Sequence, residues 1–263
     1  MLDLAGGPGD LALALAHRSN AVSLMELSKG FLRAAALRAK VLGVPLTTVH
    51  DSCNRLLYRD ESYEVITVSQ ALHWLDDVAV CRGVGRLLTD DGSFFVIHSA
   101  IELAEDHPLA FVLGNDSFLG KKVRQAFSAE VRPLFKRLSL LFEALDAPDV
   151  QRIDPAQQWG ASDATVTGRI VPVGVHLFRQ QRPFGAGYAR GFLTPQHLAP
   201  SGLEPTAFWQ DVHARCAAAT ATQLTGVQHW AVLHFQRRLA PDRLVMDDNP
   251  LCSELTFDAA YQA

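Results

Sequence analysis

The sequence predicts an α/β fold built on a doubly wound, mostly parallel sheet, and three observations carry that prediction. Short apolar runs rich in β-branched residues alternate with helix-forming segments through the first part of the chain. A glycine turn, Ala5-Gly6-Gly7-Pro8-Gly9, follows the first of these runs at once. Polar residues then recur where the runs end, which is where such a sheet binds its ligand.

The elements follow in order. Met1 to Leu4 is a short strand with one acid, and three glycines in the next five residues make a tight turn whose backbone approaches a ligand or another segment. Asp10 to Ala16 is a buried helix by composition. Ala21 to Leu27 is a second strand. Ser28 caps a helix that reaches about Leu42 and stops at Gly43. Leu46 to Val49 is a third strand and Tyr63 to Ser69 a fourth. Asp76 and Asp77 cap a helix running through Leu88, with Val80, Cys81, Val84, Leu87 and Leu88 at helical spacing. Thr89-Asp90-Asp91-Gly92 turns the chain into a fifth strand, Ser93 to His98. Right-handed crossovers make these five strands parallel.

Composition bounds the function. A chain of 263 residues with 48% hydrophobic and 20% charged residues has the material for one sizeable core and an insertion, which excludes a disordered protein. Lys+Arg of 24 against Asp+Glu of 28 gives a net charge of −4, which argues against a nucleic-acid coat or an anionic-membrane binder. No apolar stretch approaches the roughly 18 to 20 residues of a membrane span, and no basic segment leads into an apolar one at the start. Cys53, Cys81, Cys216 and Cys252 are scattered without a CxxC pair, so no metal site is expected and a cytoplasmic location is.

The strand-end residues define a candidate site. Glu26, at the end of the second strand, is placed to accept both hydroxyls of a ribose, and Asp51 can accept from an adenine amine. Gly7-Pro8-Gly9-Asp10-Leu11-Ala12 also satisfies a dinucleotide fingerprint, so spacing leaves a nicotinamide cofactor open. Asp3 discriminates. A pyrophosphate gains nothing from an acid just before the turn, whereas S-adenosylmethionine carries a sulfonium and an ammonium and no phosphate.

Asp3-Leu4-Ala5-Gly6-Gly7-Pro8-Gly9 resembles the first motif of class I S-adenosylmethionine-dependent methyltransferases, with Ala5 where a first glycine is usual. Ser23 to Ser28 resembles the second motif and Val49-His50-Asp51-Ser52 the third. Tyr63-Glu64-Val65-Ile66 is similar to the start of that family's fourth strand. Ser69-Gln70-Ala71-Leu72-His73-Trp74 is similar to the strand-end signature of its small-molecule, type 11 subgroup, and Arg86 to Gly92 to the run before its fifth strand. The resemblance covers residues 1 to about 98. It implies a Rossmann-like, seven-stranded sheet with an antiparallel last strand. It also implies S-adenosylmethionine as cofactor, with Asp3 near the methionine end and Gly7 and Gly9, beside Ala5 and Gly6, under the backbone approach. Glu26 would bind the ribose, Leu27 pack on the adenine face, Asp51 and Ser52 sit at the adenine, and Ser69 lie near the methionine amine.

The remainder divides less sharply. Residues 1–99 form the cofactor half and 100–164 a helical insertion expected as a lid, with one or two amphipathic helices over Ser117 to Ala147. Residues 165–240 complete the sheet, with strands over Thr165 to Phe178 and Gln228 to Gln236 and a helix over Pro205 to Ala221. Phe184, Tyr188, Phe192 and Trp209 are candidates to reach a substrate. Residues 241–263 form an acidic tail.

Methyl transfer needs proximity and alignment, and a base only when the acceptor must lose a proton. His73 and His98, just past the fourth strand and at the end of the fifth, are the catalytic candidates. The expected partner is a small-molecule acceptor methylated on O, N or C, with neither nucleic acid nor membrane involved. Two alternatives remain. One is a methyltransferase-like binding protein without activity, because family members carry closing helices ahead of the glycine motif, which here begins two residues after Met1. The other is a nicotinamide-dependent oxidoreductase.

Overall fold

In the computed structural model, which describes residues 1–19, 21–58, 63–114, 118–146, 168–192 and 204–239, seven strands form one sheet. β1 (Leu2–Leu4), β2 (Ser23–Glu26), β3 (Thr47–His50), β4 (Tyr63–Ser69) and β5 (Leu88–Glu102) are parallel to their neighbours. β7 (Thr225–Leu239) lies antiparallel between β5 and β6 (Gly168–Pro183), giving the order β3-β2-β1-β4-β5-β7-β6. The chain winds outward from β1 to β3 and then crosses back to β4. The switch in winding direction therefore falls between β1 and β4, where a crevice opens beyond the strand ends.

Local chemistry sets the helix limits. α1 (Asp10–Ala16) starts after Gly9, whose φ of +82° no other residue adopts cheaply. α2 (Lys29–Leu42) is capped by the Ser28 hydroxyl, which accepts from the Phe31 amide at 3.3 Å, and ends at Gly43 with φ +66°. Asp76 caps α3 (Asp77–Leu87) through the amides of Val78 and Ala79. These limits agree with the sequence expectations. A 3-10 helix, Cys53–Tyr58, packs against Gly83 of α3 so closely that a Cβ there would lie 2.3 Å from the Leu56 Cβ.

The sheet is covered differently on its two faces. Ala12, Leu24, Leu32 and Ala35 form a small core under α1 and α2. On the opposite face Leu2, Leu4, Ile66, Phe94 and Phe235 pack against α3 and the second half of α5 (Phe118–Asp146), whose Val131, Leu134, Leu138 and Phe142 are buried. The segment expected as a lid thus contributes a sheet-packing helix, because its apolar stripe matches the face of β5 and β7. Phe142 and Phe135 meet Phe235 with ring centroids 5.3 and 5.2 Å apart. One continuous helix carries Pro133 inside it.

Three strands depart from their expected boundaries. β5 begins at Leu88, so Thr89 to Gly92 form an irregularity within the strand: Tyr63 pairs with Leu88 while Val65 already pairs with Ser93. Asp91, at φ +61°, absorbs that offset. β5 also runs on to Glu102, because β7 supplies antiparallel partners as far as the Glu102 to Val227 pair. β6 and β7 are longer than their sequence patterns, and β6 is irregular between Pro172 and Gly174, where the proline offers no amide. On the extension of β5, β6 and β7 sits a second core. It gathers Ile101, Leu103, Leu109, Phe184, Phe208 and Val212 from α4 (Ala110–Leu113), α6 (Ala186–Phe192), α7 (Pro205–Ala218) and the strand ends. Phe184 is fully buried and fills this core, and Tyr188 and Trp209, both partly buried, pack against it. The side chain of Phe192 and the tail 241–263 lie outside the described residues. Among the described residues, no helix is long and apolar enough to cross a membrane.

Candidate active site

The glycine turn is built by a backbone that few side chains tolerate. A Cβ on Gly6 would lie 2.3 Å from Leu24 Cδ1 and 2.4 Å from Asp3 Oδ2, so position 6 accepts only hydrogen. Gly7 and Gly9 have φ of +55° and +82°, and Ala5 has +50°. Ala5, in place of the usual glycine, thus holds a left-handed conformation that costs an alanine roughly 1 kcal/mol.

Glu26 ties this turn to β2. Its Oε2 accepts from the Gly7 amide at 3.0 Å and its Oε1 from the Ser28 amide at 2.8 Å. A carboxylate held on both oxygens is fixed in place, and each oxygen keeps a lone pair for a further donor. Next to it Leu27 is 67% exposed. This apolar side chain stands clear of the sheet, its carbonyl 3.0 Å from the His50 ring nitrogen Nε2. At the end of β3, Asp51 Oδ1 accepts from the Ser52 amide at 2.8 Å, and Arg55 Nη1 lies 4.0 Å from the same oxygen.

Asp3 lies beneath the turn and is fully buried. Its Oδ1 accepts from the Thr67 hydroxyl of β4 at 2.7 Å, while Oδ2 is buried without an aligned donor. Burial raises its pKa to about 6, against the pull of the Thr67 hydroxyl and the Ala12 amide. A buried acid with an unused oxygen is a ready counterion for positive charge entering the crevice. Ser69, at the end of β4, pairs with Ile97 on the same rim.

His73 and His98 converge on one cavity of about 470 Å³. His98 is on β5, one residue past the Ser69 to Ile97 pair, and His73 is in a 3-10 turn, Leu72–Trp74. The walls are Leu72, Leu75, Pro133 and Leu134. Across the mouth, Arg137 Nη2 of α5 pairs with Asp77 Oδ2 of α3 at 2.8 Å. Burial, and then the neighbouring His73, push the His98 pKa down to about 4, and its Nε2 is buried with no hydrogen-bond partner. An imidazole of that kind is neutral at pH 7 and can accept a proton.

The structure thus gathers Asp3, Glu26 and Ser69 at the ends of β1, β2 and β4, with Leu27, Asp51 and Ser52 following β2 and β3. It places the two histidines in an adjoining cavity. Asp77, Leu134 and Arg137 line that cavity without having been singled out in the sequence. Asp77 reads there as a helix cap, and α5 is brought over β5 only by tertiary packing. A larger open groove of about 530 Å³, lined by Arg190, Trp209 and His213, lies between α6 and α7. None of the strand-end residues borders it.

Residues 1–92 match the family model of a methyltransferase domain. Among solved structures the chain is similar to the YcgJ protein of Bacillus subtilis, at 14% identity over 91% of this chain and 92% of that one, with a TM-score of 0.48. It is also similar to a proposed methyltransferase of Bacillus halodurans C-125, at 14% identity over 91% and 92%, with a TM-score of 0.49. An S-adenosylmethionine-dependent methyltransferase of Clostridium acetobutylicum ATCC 824 shares 21% identity over 43% and 46%, with a TM-score of 0.35. No curated protein matches. The family match spans the glycine turn, Glu26, Asp51 and the end of β4, and the sheet they open has the Rossmann-like order with an antiparallel seventh strand. Over residues 1–92 the chain is thus similar to a methyltransferase domain, on a sheet of Rossmann-like order.

Proposed function

We propose that the chain binds S-adenosylmethionine across the ends of β1 to β4 and transfers its methyl group to an oxygen, nitrogen or carbon atom of a small-molecule acceptor in the His73–His98 cavity. The observation that carries this reading is the adjacency of two unlike environments. An acidic rim made by Glu26 and Asp51, with Asp3 buried beneath it, suits a cationic nucleoside, and it borders a cavity of mixed polarity holding a neutral imidazole.

The rim disfavours a pyrophosphate. Asp10 opens α1 where a phosphate would have to approach, and the nearby Arg38 is committed to Asp10 at 2.7 Å and to the Pro8 carbonyl at 2.8 Å. Glu26 would accept from the ribose hydroxyls, Leu27 would cover an adenine face, and Asp51 and Ser52 would meet the adenine edge. Asp3 would balance positive charge at the methionine end through the thin wall of the turn.

S-adenosylmethionine supplies a methyl carbon already activated for in-line displacement. The protein supplies alignment, with Leu72, Leu75 and Leu134 forming the apolar part of the wall around the acceptor. The cavity volume falls in the range of small-molecule sites. His98, whose ring lines the cavity and is neutral at pH 7, would accept the proton of an acceptor O–H or N–H.

Screening small acceptors with a labelled methyl donor tests the proposal. Label should appear in at least one small molecule, and His98→Gln should lower turnover by about 100-fold if the imidazole is a base, while S-adenosylhomocysteine affinity stays unchanged. Because the His98 pKa is depressed, turnover at saturating S-adenosylmethionine should persist below pH 6.5 and fail only toward about pH 4. Normal turnover in His98→Gln would remove the base from the account.

A further inference from the structure

A chain of polar contacts crosses the extension of the sheet from the cofactor rim to the second core. Gln70 directly follows β4 and has a φ of +56°, a left-handed conformation that glutamine seldom adopts. Its amide donates to the Ile97 carbonyl at 2.9 Å, and its side-chain Nε2 donates to the Ser99 hydroxyl of β5. Ser99 Oγ also accepts from Gln228 Nε2 of β7 at 3.2 Å. Gln228, only 4% exposed, accepts in turn from Arg182 Nη1 of β6 at 2.9 Å. Arg182 lies over the Phe184 and Tyr188 rings of the second core, 5.7 and 5.8 Å from their centroids.

We propose that Ser99 is a positioning residue: anchored through Gln228 and Arg182 to the second core, it holds Gln70 in its left-handed turn and so fixes the 3-10 turn that carries His73 to the cavity. The register makes this possible. Arg182 faces Gly226, where a Cβ would collide with Leu103 and Phe184, so no side chain separates the guanidinium from Gln228. Gln70 and Arg182 at the two ends are exposed and Ser99 is half-buried, but Gln228 between them is buried, and a buried amide whose hydrogen bonds are met specifies one geometry for its partners. The residue it fixes lies between Ser69 on the rim and Leu72 in the cavity wall. The inference rests on reading those two places as cofactor and acceptor sites.

Trp74 reports on the turn, since it is 76% exposed and its ring lies 5.1 Å from that of His73. The full-length protein is labelled with 5-fluorotryptophan, and the Trp74 fluorine resonance is identified by its loss in Trp74→Phe. Wild type should give one narrow Trp74 line. Ser99→Ala should broaden or split it and leave the Trp209 line, on α7, in place. The double variant Gln70→Gly, Ser99→Ala should restore the narrow line, because glycine takes a positive φ without the tether. A packing role for Ser99 would not be rescued in this way. An unchanged Trp74 line in Ser99→Ala, or no recovery in the double variant, would overturn the proposal. Titrating the same samples with S-adenosylhomocysteine reports on the methyltransferase reading separately, since cofactor binding can fail while the Trp74 line still obeys the tether.

Discussion

The two halves of the sheet are built on different terms. β1 to β4 are three to seven residues long, and their strand ends carry the glycine turn, Glu26, Asp51 and Ser69. β5, β6 and β7 run for 15 or 16 residues, extend beyond the crevice and support a second core. In the first half the functional groups are held on short strands and turns, Glu26 by the amides of Gly7 and Ser28 and Asp3 by Thr67 of the neighbouring strand. In the second half a group is placed by register against strands more than a hundred residues away, as Ser99 is with Gln228. Function and tolerance to change should differ accordingly.

Substituting glycines in the two halves breaks the comparison most severely. Gly6→Ala should lose at least about 3 kcal/mol of stability, since the new methyl collides with Leu24 and Asp3, and with it cofactor binding. Gly174→Ala and Gly185→Ala, where a Cβ meets nothing within 4 Å, should stay within about 0.5 kcal/mol by thermal unfolding. Equal effects at these crowded and open positions would contradict the packing, and Gly226 of β7, crowded by Leu103 and Phe184, should behave as Gly6 does.

Asp3 gives a pH signature confined to the first half. Its folded pKa of about 6 lies above the ordinary 3.8, so its contribution to stability is complete below pH 3.8 and is lost as pH rises through about 6. The change is about 3 kcal/mol at most and should vanish in Asp3→Asn. Binding of a cationic nucleoside runs the other way, strengthening as pH rises through 6 and releasing a proton. Denaturant titrations and binding measured at pH 5 and pH 7 would reveal both trends.

Removing the Glu26 carboxylate frees the Gly7 and Ser28 amides and deletes the acceptors for a ribose. Glu26→Ala should weaken S-adenosylhomocysteine binding by about 2 kcal/mol in calorimetry, and unchanged affinity would put the adenosine elsewhere. The smallest effect is a gain. Ala5→Gly relieves the φ of +50° and should raise stability by at most about 0.5 kcal/mol after the entropy cost of glycine, visible as a slightly higher melting temperature.

The same contrast explains what could be read in the sequence. The caps at Ser28, Asp76 and Gly43 and the strand-end acids are local signals, and the structure places them as their spacing implies. Beyond β5 the local signals mislead. Thr89 to Gly92 has turn composition, yet pairing with Tyr63 starts the strand at Leu88. Phe184, Tyr188 and Trp209 are scattered aromatics in the sequence, and only the overhanging strands gather them into a core. Arg137 and Leu134 reach the cavity only because the stripe containing Leu138 and Phe142 seats α5 on the sheet. Left-handed Gln70 carries no composition signal, since its conformation comes from partners on β5.

The central claim is that the rim of β1 to β4 holds a cationic adenosine cofactor without phosphates. Calorimetric titration of the full chain at pH 7 with S-adenosylhomocysteine and, separately, with NADH tests it most directly. The account predicts saturable binding of S-adenosylhomocysteine, weakened by Glu26→Ala, and no binding of NADH. Saturable binding of NADH with none of S-adenosylhomocysteine would contradict it.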